Sequence, residues 1–435
     1  MENSGATVVV GGGCSGALAA IHLGADPRAR VVIVDPAPLH ELGRGAAYRT
    51  ADPAHLLNSR AAAMSALADE PGDFVDWCRE QGLSVGPAGF APRKVFGDYL
   101  HDRLRRVSFT HVRAGAARVR ADGAVLLRGG GELPADRVVL ALGHGAPSGP
   151  LAITSAVRTH PYYVGNPWSP GALERVPADR PVLLIGTGLT ALDVAITLAG
   201  RGRRAPLVAV SRRGLLPQPH LEGSSASAGG FAYHGSDAAG LLRAVRRYAA
   251  AQPDWRSAVD AIRPQLDQLW WQLSVDARLR LLRHARAHWE VHRHRMAPSI
   301  AATVADLRRS EVLRVRSGNI RAIRRAEQGF AVTINDATAP FGAIVNCTGP
   351  SGAAGSPLGR ALLEDGLARR DATGIGLDVD GLGRLIDRDG EPVERLFAVG
   401  PVRRGAWWET TAVPEIRAQA SALGRHLLEG HHVLN

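Results

Sequence analysis

Only three cysteines, Cys14, Cys78 and Cys347, occur in the 435 residues, far apart and without a CxxC pair. That spacing excludes a disulfide framework and a cysteine zinc site, and it argues against a dithiol-type disulfide reductase. Lysine is almost missing: Lys94 is the one lysine among 52 basic residues. The net charge of +11 is therefore an arginine charge, spread along the chain among 41 acids instead of gathered into a tail or block. With no finger, basic zipper or aromatic-interleaved RNA motif beside it, the charge speaks against a nucleic-acid partner and leaves a general attraction for anionic ligands. Long hydrophobic runs are missing as well. No uninterrupted apolar segment reaches the length of a membrane span, so no membrane association is expected. No basic-then-apolar-then-small leader stands at the N-terminus, and the expected location is cytoplasmic.

What remains is the composition of a globular protein, 45% apolar and 21% charged. A chain of this length suggests about two to three domains.

The stretch Val8–Gly16, VVVGGGCSG, organises the rest. Three β-branched residues run into Gly11-x-Gly13-x-x-Gly16, and an apolar helical stretch, Ala17–Ile21, follows. In such a strand–turn–helix the first glycine makes the tight turn, the second lets backbone approach a pyrophosphate, and the third lets helix pack on strand. The unpaired N–H groups of Cys14, Ser15 and Gly16 at the helix start suit phosphate oxygens. Asp35 closes a second apolar strand, VVIVD, roughly 20 residues on, where a ribose hydroxyl expects a carboxylate. Pro36 follows it. The whole pattern predicts a dinucleotide site.

Downstream, Pro71–Gln81 and Phe96–Arg106 read as helices, and Val112–Leu127 as a small β-meander. Arg137–Gly143, RVVLALG, reads as a buried strand returning beside the first. It sets His144 at the carboxyl end of a sheet, the edge where ligands bind in open α/β folds. His144 is accordingly a candidate for cofactor or substrate contact, and otherwise a hydrogen-bonded loop histidine.

After a proline-rich connector, residues 146–181, the opening pattern repeats. Val182–Ile185 is a strand, Gly186-Thr187-Gly188-Leu189-Thr190-Ala191 a GxGxxA turn, Leu192–Leu198 a helix and Leu207–Val210 the next strand. Here the terminal acid is replaced by Ser211-Arg212-Arg213. A carboxylate would repel a 2′-phosphate, whereas serine and guanidinium groups bind one. The first site therefore reads as one for a dinucleotide with a free ribose and the second as NADP-type. A loop, Leu215–Gly235, and a helical insertion, Ser236–Glu311, come next, larger than a βα loop needs. Within the insertion His284, His288 and His292 would share one helix face, suggesting metal ligation or, more ordinarily, a solvated face; no metal site is expected. Ala343–Gly349 ends in Thr-Gly like the earlier return strand. Leu396–Gly400 is the last apolar strand, and GAWWETT leads into a helix near Pro414. Thr411 and Val413 at that helix start are expected to face a cofactor, with Gly400 at the strand end. Trp408 and Glu409 are candidates for the reaction site, or else core residues.

In this order the motifs resemble those of the two-dinucleotide flavoproteins, a class that includes N-hydroxylating and Baeyer–Villiger monooxygenases. More narrowly, GRGAAY, DPAHLLN, MSA, SRRGLLPQPH, HRHRMAP, NCTGP and TAVPEIRAQA are similar to those of a bacterial FAD-NAD(P)-binding family. The resemblance implies an α/β fold of two Rossmann-like domains, binding FAD and NADPH, with the helical insertion about residues 236–311. It places the FAD-binding domain in residues 1–150 and 346–435 and the NAD(P)-binding domain in 151–345. Asn58 and Met64 would lie along the flavin, Asn58 as a polar contact to its ring or as a turn amide. The implied activity is oxygenation of a small-molecule nitrogen, sulfur or carbon centre by molecular oxygen, through a flavin C4a-hydroperoxide. A flavoprotein reductase, oxidase or dehydrogenase without oxygen insertion is the second expectation, and a non-catalytic flavin-binding sensor or assembly partner the third.

Overall fold

The computed structural model describes residues 5–145, 147–150, 152–223 and 230–429; part of the loop Leu215–Gly235 and residues 146 and 151 of the connector lie outside it. The chain opens with β1 (Ala6–Val10), α1 (Cys14–Leu23) and β2 (Arg30–Val34), then α2 (Gly45–Tyr48), α3 (Asp73–Glu80), α4 (Arg93–Leu104) and β3 (Thr110–Val112). A small antiparallel sheet of β4 (Ala116–Val119), β5 (Val125–Leu127) and β6 (Glu132–Leu133) precedes β7 (Arg137–Leu140). Next come α5 (Ser155–Arg158), β8 (Tyr163–Val164), β9 (Val182–Ile185), α6 (Leu189–Ala199) and β10 (Leu207–Ser211). The insertion contributes α7 (Ala238–Ala250), α8 (Trp255–Ile262), α9 (Leu266–Gln272), α10 (Val275–His284), α11 (Arg286–Arg293) and α12 (Pro298–Arg309). It leads to β11 (Leu313–Ser317), an antiparallel trio of β12 (Ile320–Ala326), β13 (Gly329–Ile334) and β14 (Ala337–Phe341), and β15 (Ala343–Asn346). The last elements are α13 (Pro357–Glu364), β16 (Arg384–Ile386), β17 (Pro392–Ala398) and α14 (Val413–Glu429).

Two sheets dominate. The first has the order β16-β17-β7-β1-β2-β3, parallel except for β16. Its central strands are apolar on both faces because both are covered, as parallel sheets require. Val9, Ile33, Val139 and Phe397 point to the side packed by α1, α4 and α14, while Val8, Val138, Leu140 and Leu396 point to the side closed by β4–β6 and α13. The second sheet, β11-β10-β9-β15-β8, is parallel throughout. One of its faces packs on α6 and α12 and the other on β12–β14.

Two expectations change here. Val112 does not begin the meander. It ends β3, an edge strand of the first sheet, with Val112 in register with Val34. The final strand starts earlier than Leu396, at Pro392, and gains an antiparallel neighbour, β16, that its short and interrupted pattern concealed. Among the described residues no helix is long and apolar enough to cross a membrane.

The insertion packs through its own apolar cluster, centred on Leu241, Ile262, Leu269 and Trp270, which takes in Trp408 of the closing segment. Trp270 lies 4.8 Å from Trp408 and Trp271 lies 5.1 Å from Trp407, centroid to centroid. The indole N–H groups of Trp270 and Trp271 donate to the carbonyls of Gly405 and Ala406 at 2.8 and 3.0 Å.

Candidate functional site

The first turn has the backbone that its glycines imply. Gly11 adopts φ +105°, and a Cβ there would stand 2.4 Å from the carbonyl oxygen of Ala141, at the end of β7. A Cβ on Gly16 would meet the Gly11 oxygen at 1.8 Å. No larger residue fits at either position. Gly13 caps helix α1 without a side-chain hydrogen bond, so the first N–H groups of the helix stay available to an anion. Asp35 closes the turn: Oδ2 accepts from Gly12 N at 2.6 Å and Oδ1 from Ala37 N at 2.8 Å. Pro36 beside it is exposed. From the other end of the chain Gly400, at φ +80°, comes so close to Ser15 that a Cβ would lie 2.4 Å from the serine Oγ. Val413 is buried and Thr411 half-buried at the start of α14, and Met64 is buried in the core of the same sheet. These residues fit a dinucleotide with its pyrophosphate on α1.

The second turn repeats the first atom for atom at its key contact. Gly186 has φ +123°, and its Cβ would lie 2.5 Å from the carbonyl oxygen of Cys347, the residue after β15. Gly188 is open, with nothing within 4 Å of a Cβ, and α6 also starts without a side-chain cap. Leu189 and Thr190 are half-buried in its first turn, and Ala191 packs fully inside. Ser211 Oγ bonds Thr187 Oγ1 at 2.8 Å and accepts from Gly214 N at 3.0 Å, bracing the strand end against the turn. Arg212 and Arg213 are exposed beyond it, and Arg213 Nη1 donates to the His284 carbonyl at 3.0 Å.

His144 lies where the β7 strand end predicts, with its side chain exposed. Desolvation by the surrounding protein, and then the neighbouring Arg404 and His294, lower its pKa to about 4, so the ring is neutral near neutral pH. Around it sequence reading missed a charged cluster. Glu290 Oε1 accepts from Arg404 Nη2 at 2.5 Å, and Oε2 lies 3.0 Å from His294 Nε2. Burial alone would raise the Glu290 carboxyl; His294, Arg404 and Arg286 overcome it and hold the group well below the usual range. Arg286 in turn feels Arg404 and Arg212, so the cluster extends to the strand end proposed for the phosphate.

The expected histidine face is corrected, and Glu409 and Trp408 are found inside the protein. His284, His288 and His292 do not share a face of one helix, because the chain breaks at Ala285 between α10 and α11. No group of three or more metal-ligating side chains forms among the described residues. Glu409 is not open to a reaction site: its carboxylate lies in a buried ion pair with Arg293. Trp408 is a packing residue, stacked between Trp270 and the guanidinium of Arg404. Asn58, by contrast, lines a cavity beside α6, and its carbonyl accepts from His220 Nε2 at 3.0 Å.

Residues 8–145 match the family model described as FAD-NAD(P)-binding. No curated protein matches the sequence. Among solved structures, the chain is similar to L-lysine 6-monooxygenase from Pseudomonas syringae, with TM-score 0.67 and 17% identity over 98% of this chain and 99% of that one. It is similar to the ornithine hydroxylase of Pseudomonas aeruginosa at TM-score 0.64 and 14% identity, again over 98% and 99%. The thioredoxin reductase of T. acidophilum matches at TM-score 0.56 and 11% identity, over 99% and 100%. Residues 8–145 thus match an FAD-NAD(P)-binding family model, and the chain as a whole shares the fold of these solved structures.

Proposed function

We propose that the chain is an FAD-dependent, NADPH-using monooxygenase that oxygenates a nitrogen, sulfur or carbon centre of a small molecule. The observation that carries this reading is the pairing of two phosphate-ready turns with the lack of any dithiol. Cys14, Cys78 and Cys347 are all free. Burial pushes the Cys14 thiol up to about 12 and Cys78 to about 11, and Cys347 is raised further still. Thiols so far from ionisation are poor nucleophiles for disulfide exchange, so electrons taken from the nicotinamide pass to an acceptor other than a protein disulfide, and this reading assigns that role to oxygen. Two of the similar solved structures are, by name, a hydroxylase and a monooxygenase.

In this reading residues 1–150 and 346–435 hold FAD. Gly11, Gly13, Cys14, Ser15 and Gly16 bind its pyrophosphate, Asp35 and Pro36 its ribose end, and Met64, Gly400, Thr411 and Val413 its far end. Residues 151–345 hold NADPH, with Gly186, Gly188, Leu189, Thr190 and Ala191 at the pyrophosphate and Ser211, Arg212 and Arg213 at the 2′-phosphate. Bound FAD supplies hydride acceptance and oxygen chemistry, which the protein orients and shields from water. Asn58 offers an amide to the reacting region, and neutral His144 offers a ring nitrogen without adding charge. The N-terminus of α14 presents backbone N–H groups where negative charge develops.

The test is NADPH oxidation by the FAD-loaded protein in air, with peroxide and product measured against amines, thioethers and ketones. An oxygenated product, formed as peroxide release falls, is expected. Peroxide equal to NADPH consumed with every substrate overturns the proposal in favour of an oxidase or reductase.

A further inference from the structure

A polar clasp joins α6 to the chain that runs toward Asn58. Asp193 and Thr197 stand one turn apart on α6 and so share a face. Against that face lie Asp52 and His55, with Arg93 from the start of α4. His55 is 3% and Asp193 8% exposed. Trp168 of the connector covers the group, its ring centroid 4.7 Å from the Arg93 guanidinium carbon and 5.6 Å from the His55 ring.

The directions of the bonds are determined. His55 Nε2 lies 3.2 Å from the Asp193 carbonyl oxygen and 2.9 Å from Thr197 Oγ1. A carbonyl only accepts, so Nε2 carries the ring hydrogen, and Nδ1 accepts from Thr50 Oγ1 at 2.6 Å. Thr197 Oγ1, accepting from His55, donates to Asp52 Oδ2 at 2.5 Å. Asp52 Oδ1 accepts from Ala54 N at 3.0 Å, and Asp193 Oδ2 from Arg93 Nη2 at 2.6 Å. Burial lowers the pKa of His55, Asp193 opposing and Arg93 adding, which suits the neutral ring that these bonds require.

Stability alone does not call for this chemistry, because well-packed apolar side chains hold two buried surfaces together as well or better. A closed chain of directional bonds instead admits a single register of α6 against residues 52–58. Each partner leads to a cofactor assignment, the first turn of α6 to the NADPH pyrophosphate and Asn58 to the flavin. Thr197 itself stands outside both, about 12 Å along the helix from Leu189.

We propose that Asp52, His55, Asp193 and Thr197, with Arg93, are positioning residues that set where the nicotinamide of NADPH meets the flavin. The proposal rests on the two cofactor assignments and not on what the reduced flavin does next. A misplacement of about 1 Å between reacting groups costs up to about 100-fold in rate. The segment is also fastened to the loop after β10. There the Asn58 carbonyl accepts from His220 Nε2 at 3.0 Å, and Arg60 Nη2 donates to the carbonyls of Leu221 and Gly223 at 2.7 and 2.9 Å. Loss of the clasp therefore shifts the segment without freeing it.

Anaerobic stopped-flow reduction of the FAD-loaded protein by NADPH is the test, hydride leaving NADPH as NADP+ and appearing as reduced flavin. Thr197→Val removes the hydroxyl at nearly constant volume. The limiting rate at saturating NADPH is expected to fall by about tenfold or more, with flavin content and the NADPH dissociation constant unchanged, and Thr197→Ser should restore it. Asp52→Ala, at the partly exposed end of the clasp, should act in the same direction. Thr303→Val, which removes an exposed hydroxyl of α12, should change nothing. Amide hydrogen exchange, which needs no turnover, should quicken in residues 50–58 and 189–199 of Thr197→Val and not of Thr197→Ser. An unchanged limiting rate or unchanged exchange in Thr197→Val overturns the proposal. So does a loss that Thr197→Ser does not restore, or an equal loss of flavin or NADPH binding. If Thr197→Val does not fold, Asp52→Ala decides by the same measures. Failure of NADPH to reduce the unaltered protein removes the nicotinamide assignment and the proposal with it. Oxygen takes no part in this half-reaction, so peroxide as the sole product in air would end the oxygenation reading and leave the clasp standing.

Discussion

Arg293 and Glu409 face each other inside the protein, Nη2 to Oε2 at 2.9 Å, with both side chains more than nine-tenths buried. The pair joins α11 of the insertion to the segment entering α14. Arg263 reinforces it, 3.7 Å from Glu409 and 2.5 Å from Glu415. Removing one partner of a buried ion pair leaves an uncompensated charge, which costs about 3–5 kcal/mol. Glu409→Ala is therefore expected to lower stability by about that amount in urea unfolding. Arg293→Met together with Glu409→Met should recover much of the loss, since the pair is then replaced by apolar groups.

The twin glycine contacts predict separable defects. Alanine at Gly186 must adopt φ +123° and push its Cβ against Cys347, with strain of about 1–3 kcal/mol. Gly186→Ala should raise the KM for NADPH by roughly tenfold or more while FAD content stays normal. Gly11→Ala should do the reverse and yield protein with little FAD. Flavin absorbance per protein and NADPH steady-state kinetics read both outcomes.

Arg212 and Arg213 are both exposed, but Arg213 is bonded to the His284 carbonyl. A charge-assisted hydrogen bond contributes about 1.5–3 kcal/mol. Arg212→Ala should thus raise the KM for NADPH about 10- to 100-fold and hardly change that for NADH. Arg213→Ala should have the smaller effect. An equal change for both nicotinamides removes the 2′-phosphate from this strand end.

His220 gives a pH dependence. Burial lowers its pKa from the ordinary 6.5 to about 4, opposed by its bond to the Asn58 carbonyl and helped by Arg295 and Arg60. Between those values the unfolded chain binds a proton that the folded chain does not, so stability rises with pH across that window. The contribution is complete above about pH 6.5 and is lost as the pH falls toward 4. Unfolding free energy measured across this range should be flatter in His220→Gln than in the unaltered protein; the same slope in both would assign it to other groups.

How much of this was legible follows from where each signal is stored. Gly11, Gly16 and Gly186 are required by their own backbone and by one neighbouring carbonyl, so a short local pattern carries the requirement. Strand β3 was hidden because it is only three residues long, with Thr110 and His111 among them, and pairs with β2, far away in sequence. The clasp on α6 was hidden by sequence distance on a larger scale. Arg93 and Asp193 lie 100 residues apart and Asp52 and Thr197 lie 145 apart, and no spacing rule links them. HRHRM drew notice through its histidines, yet it is Arg293, His294 and Arg295 that meet the rest of the molecule. Glu409 reads as a free acid until its partner on α11 is known.

The seam between the insertion and the closing segment contains Trp270, Trp271, Trp407 and Trp408, four of the eight tryptophans in the chain. Half of the protein's tryptophans are therefore concentrated at one joint instead of being spread across its cores. Parting the insertion from the sheets would shift their ultraviolet emission while the backbone circular dichroism of the sheets stayed constant. The molecule thereby carries a built-in optical gauge of whether its helical cover is seated.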